Sequence, residues 1–216
     1  MLILGIETSG LLCSVAWYQN NRILLEYNVE KPQIHAAFLA DLISSGSKKL
    51  EISSQDISLI AISTGPGSYT GLRIGMSYAK GYCYGANIPI IGISNFQILS
   101  YRAPELNGYI LTLINANRGR YYYAKFNNKF ENLSEYGIVS EQDLNKFDLQ
   151  DTGLVIDYYS QFNSNSKPWS ELMWIQKVRF NASVLCEIAE KKYQEAGADD
   201  INLIEPLYLQ AFAGVL

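Results

Sequence analysis

The sequence predicts an α/β chain made of two similar halves, and three observations carry that reading. Apolar strand-like runs alternate with amphipathic helical stretches through the first hundred residues. The second half opens with the same order of apolar strand, short polar turn and aromatic strand as the first. A glycine-rich turn, Gly65 to Gly71, joins a buried-type strand to a helix that is itself studded with glycine.

Leu2 to Thr8 is an apolar run of strand type. Cys13 to Tyr18 alternates, and Arg22 to Asn28 follows across Gln19-Asn20-Asn21, so the two read as a hairpin. A helix with Ile34, Ala37, Phe38, Leu39 and Leu42 on its apolar side is expected to end near Ser45-Gly46. Ser58 to Thr64 is a strand, Gly71 to Ala86 a helix, and Ile88 to Ser94 another strand. In the second half, strands are expected at Tyr109 to Asn115, Arg120 to Asn127 and Gly153 to Asp157. Asn181 to Gly197 reads as an amphipathic helix stopped by glycine, and the Asn- and Ser-rich segment 161–170 as a loop. The halves divide at 1–103 and 104–216, each a mixed sheet with flanking helices. A duplicated unit of three strands and a helix is the layout of the actin-like (ASKHA, ribonuclease H-like) fold.

Composition removes several functions. With 216 residues, 48% of them apolar, the chain can bury a sizeable core. Its net charge of −4 does not favour free nucleic acid. No segment is long and apolar enough to cross a bilayer, and the opening residues lack the pattern of a signal peptide. Cys13, Cys83 and Cys186 are odd in number and form no C-x-x-C, which suits reduced thiols in a cytoplasmic protein. His35 is the single histidine, so no two-histidine metal motif exists, and no G-x-S-x-G accompanies it.

Three readings compete for the glycine turn. A Walker loop needs lysine after Gly71, where Leu72 stands. A dinucleotide loop needs an acid about 20 residues on, and none lies between Asp56 and Glu105. The third reading places the purpose in the helix. At about 100° per residue, Gly71, Gly75, Ala79, Tyr82 and Ala86 share one face, with Ile74, Tyr78, Gly81 and Gly85 on the adjoining stripe. The interior glycines Gly75, Gly81 and Gly85 together cost about 3 kcal/mol of helix propensity, so another surface is expected to come very close. One stripe is expected to face the sheet and the other a partner chain.

These residues resemble the TsaB (YeaZ) family of bacterial tRNA threonylcarbamoyladenosine biosynthesis. Gly65 to Gly75, GPGSYTGLRIG, is similar to the family signature, GIETSGLLCSVAW to its first strand, where Glu7 replaces a more usual Asp, and EPLYLQ to its ending. The resemblance implies an actin-like fold without catalysis of its own, no cofactor and no metal. It implies a scaffold that binds a TsaD-like transferase and a TsaE-like ATPase, pairs with itself when alone, and meets tRNA only indirectly. The implied contact surface is Gly71, Gly75, Tyr78, Ala79, Tyr82 and Gly85, while Glu7, Thr8, Ser9, Gly65, Gly67 and Ser68 would be vestiges of phosphate or nucleotide loops. TsaD-type subunits hold a metal through paired histidines where His35 falls, and Leu39 occupies the second position here. Asn115 and Asn117 stand where the family usually has an acid and an arginine. Arg118, Arg120, Lys125 and Lys129, interleaved with Tyr121 to Tyr123, form a basic-aromatic pattern of the kind that can contact RNA. The alternative is an actin-like small-molecule kinase or ATPase, which would need carboxylates at the strand ends for magnesium and the acceptor hydroxyl. On this reading the sequence offers Glu7 in the first half and only Asn115 in the second.

Overall fold

The computed structural model describes residues 1–30, 35–104, 108–160 and 172–209, with side chains omitted at 35 and 36. The expected loop at 161–170, the side chain of His35 and the closing segment 210–216 lie outside the described residues.

Five strands build the first sheet: β1 (Leu2–Glu7), β2 (Leu12–Gln19), β3 (Arg22–Glu30), β4 (Leu59–Gly65) and β5 (Ile90–Ser94), in the order β3-β2-β1-β4-β5. The β1–β2 and β2–β3 pairs are antiparallel, and β1–β4 and β4–β5 are parallel. Asn20 and Asn21 turn the β2–β3 hairpin with φ of 52° and 59°, a pair of left-handed residues whose twist suits a two-residue connection.

The second sheet uses β6 (Tyr109–Asn115), β7 (Arg120–Asn127), β8 (Gly137–Ser140), β9 (Thr152–Asp157) and β10 (Ile175–Val178), in the order β10-β9-β6-β7-β8. Pair for pair it repeats the first: β6–β7 and β7–β8 antiparallel, β6–β9 and β9–β10 parallel. The expected two mixed sheets of actin-like type are present. β8 and β10 are new relative to the sequence reading, since four-residue strands are too short to show a period.

Helix α1 (His35–Leu50) runs past the expected stop at Gly46. Its glycine is an interior packing position. A Cβ there would stand 2.1 Å from Cη2 of Trp17, a fully buried indole. Leu39 and Ile43 from α1 join Trp17, Val15, Ile60 and Ile62 in one core. On the same side lies α2 (Tyr69–Ala86), one residue pair longer at its start than expected.

Helix α4 (Ala182–Ala196) packs across β1, β2 and β5 of the first sheet. Its seat is Gly5, where a Cβ would fall 2.6 Å from both Ala182 O and Cys186 Sγ. The compact units are therefore 1–95 with 180–207, and 96–179 with 208–216, which differs from a division at residue 103. A linear division could not foresee this, because α4 follows the second sheet in sequence and packs on the first. The short helix α3 (Asn95–Tyr101), unforeseen in sequence, contains the first crossing between units. In the second unit, Leu111, Leu113, Tyr121, Leu144, Leu154 and Ile156 form the core. There a 3-10 turn, Glu141–Lys146, stands in the chain position that α1 fills in the first.

Gly46→Ala is expected to destabilise the chain by about 1–3 kcal/mol, because the added methyl meets an indole with no room to retreat. Urea unfolding measures it, and a neutral result would show that Trp17 is not locked.

Candidate functional site

The glycine-rich turn is filled by the chain's own first hairpin turn. A Cβ at Gly67 would lie 2.5 Å from Ser9 O, one at Gly71 2.0 Å from Thr8 O, and one at Gly75 2.2 Å from Thr8 Oγ1. Hydrogen bonds fasten the same approach: Ser68 N–H donates to Ser9 O at 2.7 Å, and the Thr8 hydroxyl donates to Gly71 O at 2.8 Å. Ser68 caps α2 by accepting from Gly71 N–H at 3.2 Å. Gly65 takes φ +91°, and a Cβ there would also strike Leu72. Thus Gly65, Gly67 and Ser68 shape a contact inside the chain, with Thr8 and Ser9 as its other side.

This corrects the sequence expectation for one face of α2. Gly71, Gly75 and Ala79 are buried against the first sheet, so they are not available to a partner. The periodicity located a face of small residues but could not say which of two adjoining stripes met the sheet. Gly81 and Gly85 are exposed, while Ile74, Tyr78 and Tyr82 are half-buried and pack at the edge of the first core. A Cβ at Gly81 or Gly85 would meet nothing within 4 Å. Tyr78 and Tyr82 are half-buried with ring centroids 6.2 Å apart, and burial pushes both phenols above their ordinary range. Two tyrosines and an isoleucine beside two bare glycines make a stripe that a neighbouring helix could approach closely.

At the end of β1, Glu7 is fully buried. Its Oε1 accepts from Ser9 N–H at 2.6 Å and from the Ser9 hydroxyl. The amide of Asn95 donates to Ser9 Oγ at 2.6 Å and to Pro66 O at 2.8 Å, while Ser63 donates to Asn95 Oδ1 at 2.7 Å. Burial pushes the Glu7 carboxyl up, opposed by its bonds from Ser9. The sequence singled out Glu7 and missed Ser63 and Asn95, which no local pattern connects to it across 56 and 88 positions.

The second sheet carries an acid that the sequence reading also missed. Asp157, at the end of β9, accepts from Asn115 N–H at 3.0 Å through Oδ2 and from Tyr159 N–H at 3.1 Å through Oδ1. The Ser160 hydroxyl donates to Oδ2 as well. Parallel pairing of β6 with β9 brings Asp157 beside Asn115, and only tertiary structure reveals it. Glu7 is held by its own turn through Oε1, with Oε2 buried without a hydrogen-bond partner, whereas both oxygens of Asp157 are bonded, by Asn115 and by its own turn.

Among the described residues, no three His, Cys, Asp or Glu side chains form a metal-binding group. Leu39, in the position of a second histidine, is a core residue at 1% exposure. All three cysteines are buried thiols, with Cys13 pushed up to about 11 and Cys83 to about 12 by desolvation, so neither is a nucleophile. The basic-aromatic stretch does not form one surface. Arg118 sits in the turn before β7, Lys129 beyond its other end, Lys125 covers the Tyr109 ring at 4.3 Å, and Tyr121 points into the core. No helix among the described residues is long and apolar enough to cross a membrane.

Two mixed sheets of one strand pattern define the actin-like fold. The family model described as TsaD, tRNA N6-adenosine threonylcarbamoyltransferase, matches residues 31–165, and the chain belongs to that family. It is 31% identical over 122 residues to the Bacillus subtilis "tRNA threonylcarbamoyladenosine biosynthesis protein TsaB", covering 56% of this chain and 53% of that one. The Escherichia coli protein of the same name is 32% identical over 131 residues, covering 58% and 55%. The match thus spans about half the length of these two relatives. The Haemophilus influenzae TsaB protein aligns at 26% identity over 97% of this chain and 94% of its own. Among solved structures, YeaZ from Pseudomonas aeruginosa superposes with a TM-score of 0.78 at 19% identity, over 96% of this chain and 99% of that one. A second structure, of a protein with similarity to peptidase YeaZ from Pseudomonas aeruginosa, gives 0.79 at 18% identity, over 97% and 99%. At these identities the superpositions establish the fold.

One helix should respond oppositely to the same kind of change. Gly75→Ala is expected to cost about 1–3 kcal/mol through collision with Thr8. Gly81→Ala is expected to add about 1 kcal/mol from helix propensity. Thermal unfolding of both separates the faces, and a stabilised Gly75→Ala would contradict the inward placement.

Proposed function

We propose that this chain is a non-catalytic subunit of the bacterial assembly that installs threonylcarbamoyl on the adenosine next to the tRNA anticodon. The observation that carries the reading is the state of the two sheet-end acids. A phosphotransferase of this fold would need carboxylates free to hold magnesium and to take a proton from the acceptor. Glu7 and Asp157 are instead bonded to Ser9, and to Asn115, Tyr159 and Ser160. The glycine turn, filled by Thr8 and Ser9, offers no open cradle for a phosphate. The names carried by the relatives support the process.

On this proposal the partner surface is the outward stripe of α2: Ile74, Tyr78, Gly81, Tyr82 and Gly85. Tyrosine supplies contact area at small entropic cost, and bare glycine lets backbones approach. A TsaD-like transferase binds there, a second copy of this chain occupies the same stripe when the transferase is absent, and a TsaE-like ATPase joins the assembly. The chain acts in the cytoplasm and meets tRNA through that assembly.

Capture of the transferase from a bacterial lysate, followed by mass spectrometry, tests the partner. Gly81→Arg with Gly85→Arg, both at positions open to solvent, is expected to abolish capture while the melting temperature stays within about 2 °C of wild type. Undiminished capture by the double variant would remove α2 from the interface. The purified chain is expected to show no ATP hydrolysis above background. Turnover that survives repurification and vanishes in Glu7→Gln would instead establish the kinase or ATPase reading.

A further inference from the structure

The two edges of the first sheet are finished differently. At β5 the chain seals the edge itself. Asp199 N–H donates to Ile90 O at 3.0 Å, Asp199 Oδ2 accepts from Gly92 N–H at 2.8 Å, and Lys192 Nζ donates to Gly92 O at 3.1 Å. At the other edge lies β3, nine residues long. Among the described residues, no strand pairs with its outer side, and no backbone–backbone hydrogen bond from outside the sheet reaches Leu25 to Val29. An open edge of that length is a template for another strand wherever bulges and charges do not interrupt it.

Both ends of β3 are interrupted. Its register with β2 passes from Trp17–Leu25 to Tyr18–Ile23, so Leu24 is an extra, bulged residue near the charged Arg22. Glu30 closes the far end. Leu25 to Val29 remain, and their two rows are unlike. Leu25, Tyr27 and Val29 are half-buried at the rim of the core that includes Leu39 and Ile43 of α1, with the Tyr27 ring edge-on to Trp17 at 6.2 Å. Glu26 and Asn28 lie on the α4 side. Glu26 Oε1 accepts from Ser183 N–H at 2.8 Å, and exposed Asn28 pairs with Ser14, whose hydroxyl oxygen accepts from Ala182 N–H at 2.9 Å.

A strand added antiparallel to this segment has to match the apolar row with an apolar row, because a slip of one residue exchanges the faces. A second copy of β3 does so about a twofold axis in one register. Centred on Glu26, the pairing sets two acids opposite each other, and centred on Asn28 it sets Glu26 opposite Glu30. Centred on Leu25, it draws in the bulge at Leu24. Centred on Tyr27, Tyr27 meets its own copy, Leu25 meets Val29, and Glu26 meets Asn28, so apolar faces apolar and an acid faces an amide donor. We propose that β3 pairs with β3 of a second copy, antiparallel about Tyr27, joining two five-stranded sheets into one. The apolar rows then cover each other's exposed rim, and each Asn28 amide donates to Glu26 of the other copy. This inference uses a surface apart from the exposed glycines of α2 and does not rest on the proposed function.

Sedimentation equilibrium of the full chain across the micromolar range tests the pairing. It is run on the Gly81→Arg, Gly85→Arg chain, so that association through α2 is blocked and only β3 is read. A reversible dimer is expected there. Adding Asn28→Glu sets an acid opposite Glu26 at two symmetric places and is expected to raise the dimer dissociation constant about tenfold. Adding Asn28→Lys sets opposite charges there and is expected to lower it, with the gap between the two variants narrowing at high salt. Both changes fall on an exposed side chain, and thermal unfolding confirms that each variant is folded. A chain that stays monomeric across the whole range would overturn the proposal. So would a dimer whose dissociation constant moves the same way for glutamate and lysine at position 28, because only a facing Glu26 makes the sign of the charge matter.

Discussion

The seating of the Thr8–Ser9 turn on the glycine face of α2 is the contact on which the first unit depends. Two backbone carbonyls and one hydroxyl occupy space that side chains at Gly67, Gly71 and Gly75 would fill. The helix can then lie flat against β1 and β4, which places Met76, Ala79 and Cys83 in the core beside Ile60 and Ile62. Glycine in a helix costs stability, and at Gly71 and Gly75 that cost is offset by hydrogen bonds and apolar contacts no larger residue would allow.

The same seating explains why a sequence that looks like a phosphate loop does not present one. In such a loop, glycines clear room for an anion and leave backbone N–H groups pointing at it. Here the room is occupied by Ser9 O, and Ser68 N–H is already bonded to it. A polar network behind the turn completes the closure, with Asn95 linking Ser9, Pro66 and Ser63. The second sheet closes its own edge by a different route, with Asp157 gathering Asn115, Tyr159 and Ser160. Two halves of common topology close these ends with different residues.

The glycines of α2 are of two kinds. Gly71 and Gly75 are inward and required by contact, while Gly81 and Gly85 are outward with open space above them. Helix propensity alone disfavours both kinds. On the proposed function the exposed pair makes room for a partner backbone, with Tyr78 and Tyr82 beside it supplying apolar area.

By itself the sequence determined the α/β class, the duplicated strand order and most long elements, because hydrophobic period and turn residues are local properties. The strands Tyr109–Asn115 and Arg120–Asn127 were legible to the residue, and the helix expected over Asn181 to Gly197 to within one residue at each end. It also determined Glu7 as the first-half acid and the small-residue character of α2. Tertiary structure alone decided which stripe of α2 turns inward, since a helical wheel fixes relative faces but not the direction of the sheet. It decided that α4 packs on the first sheet, that Gly46 lies under Trp17 rather than ending a helix, and that Asp157 and Asn95 belong to the sheet-end networks. Those outcomes rest on pairings across tens of residues, where register and packing act and local pattern carries no information.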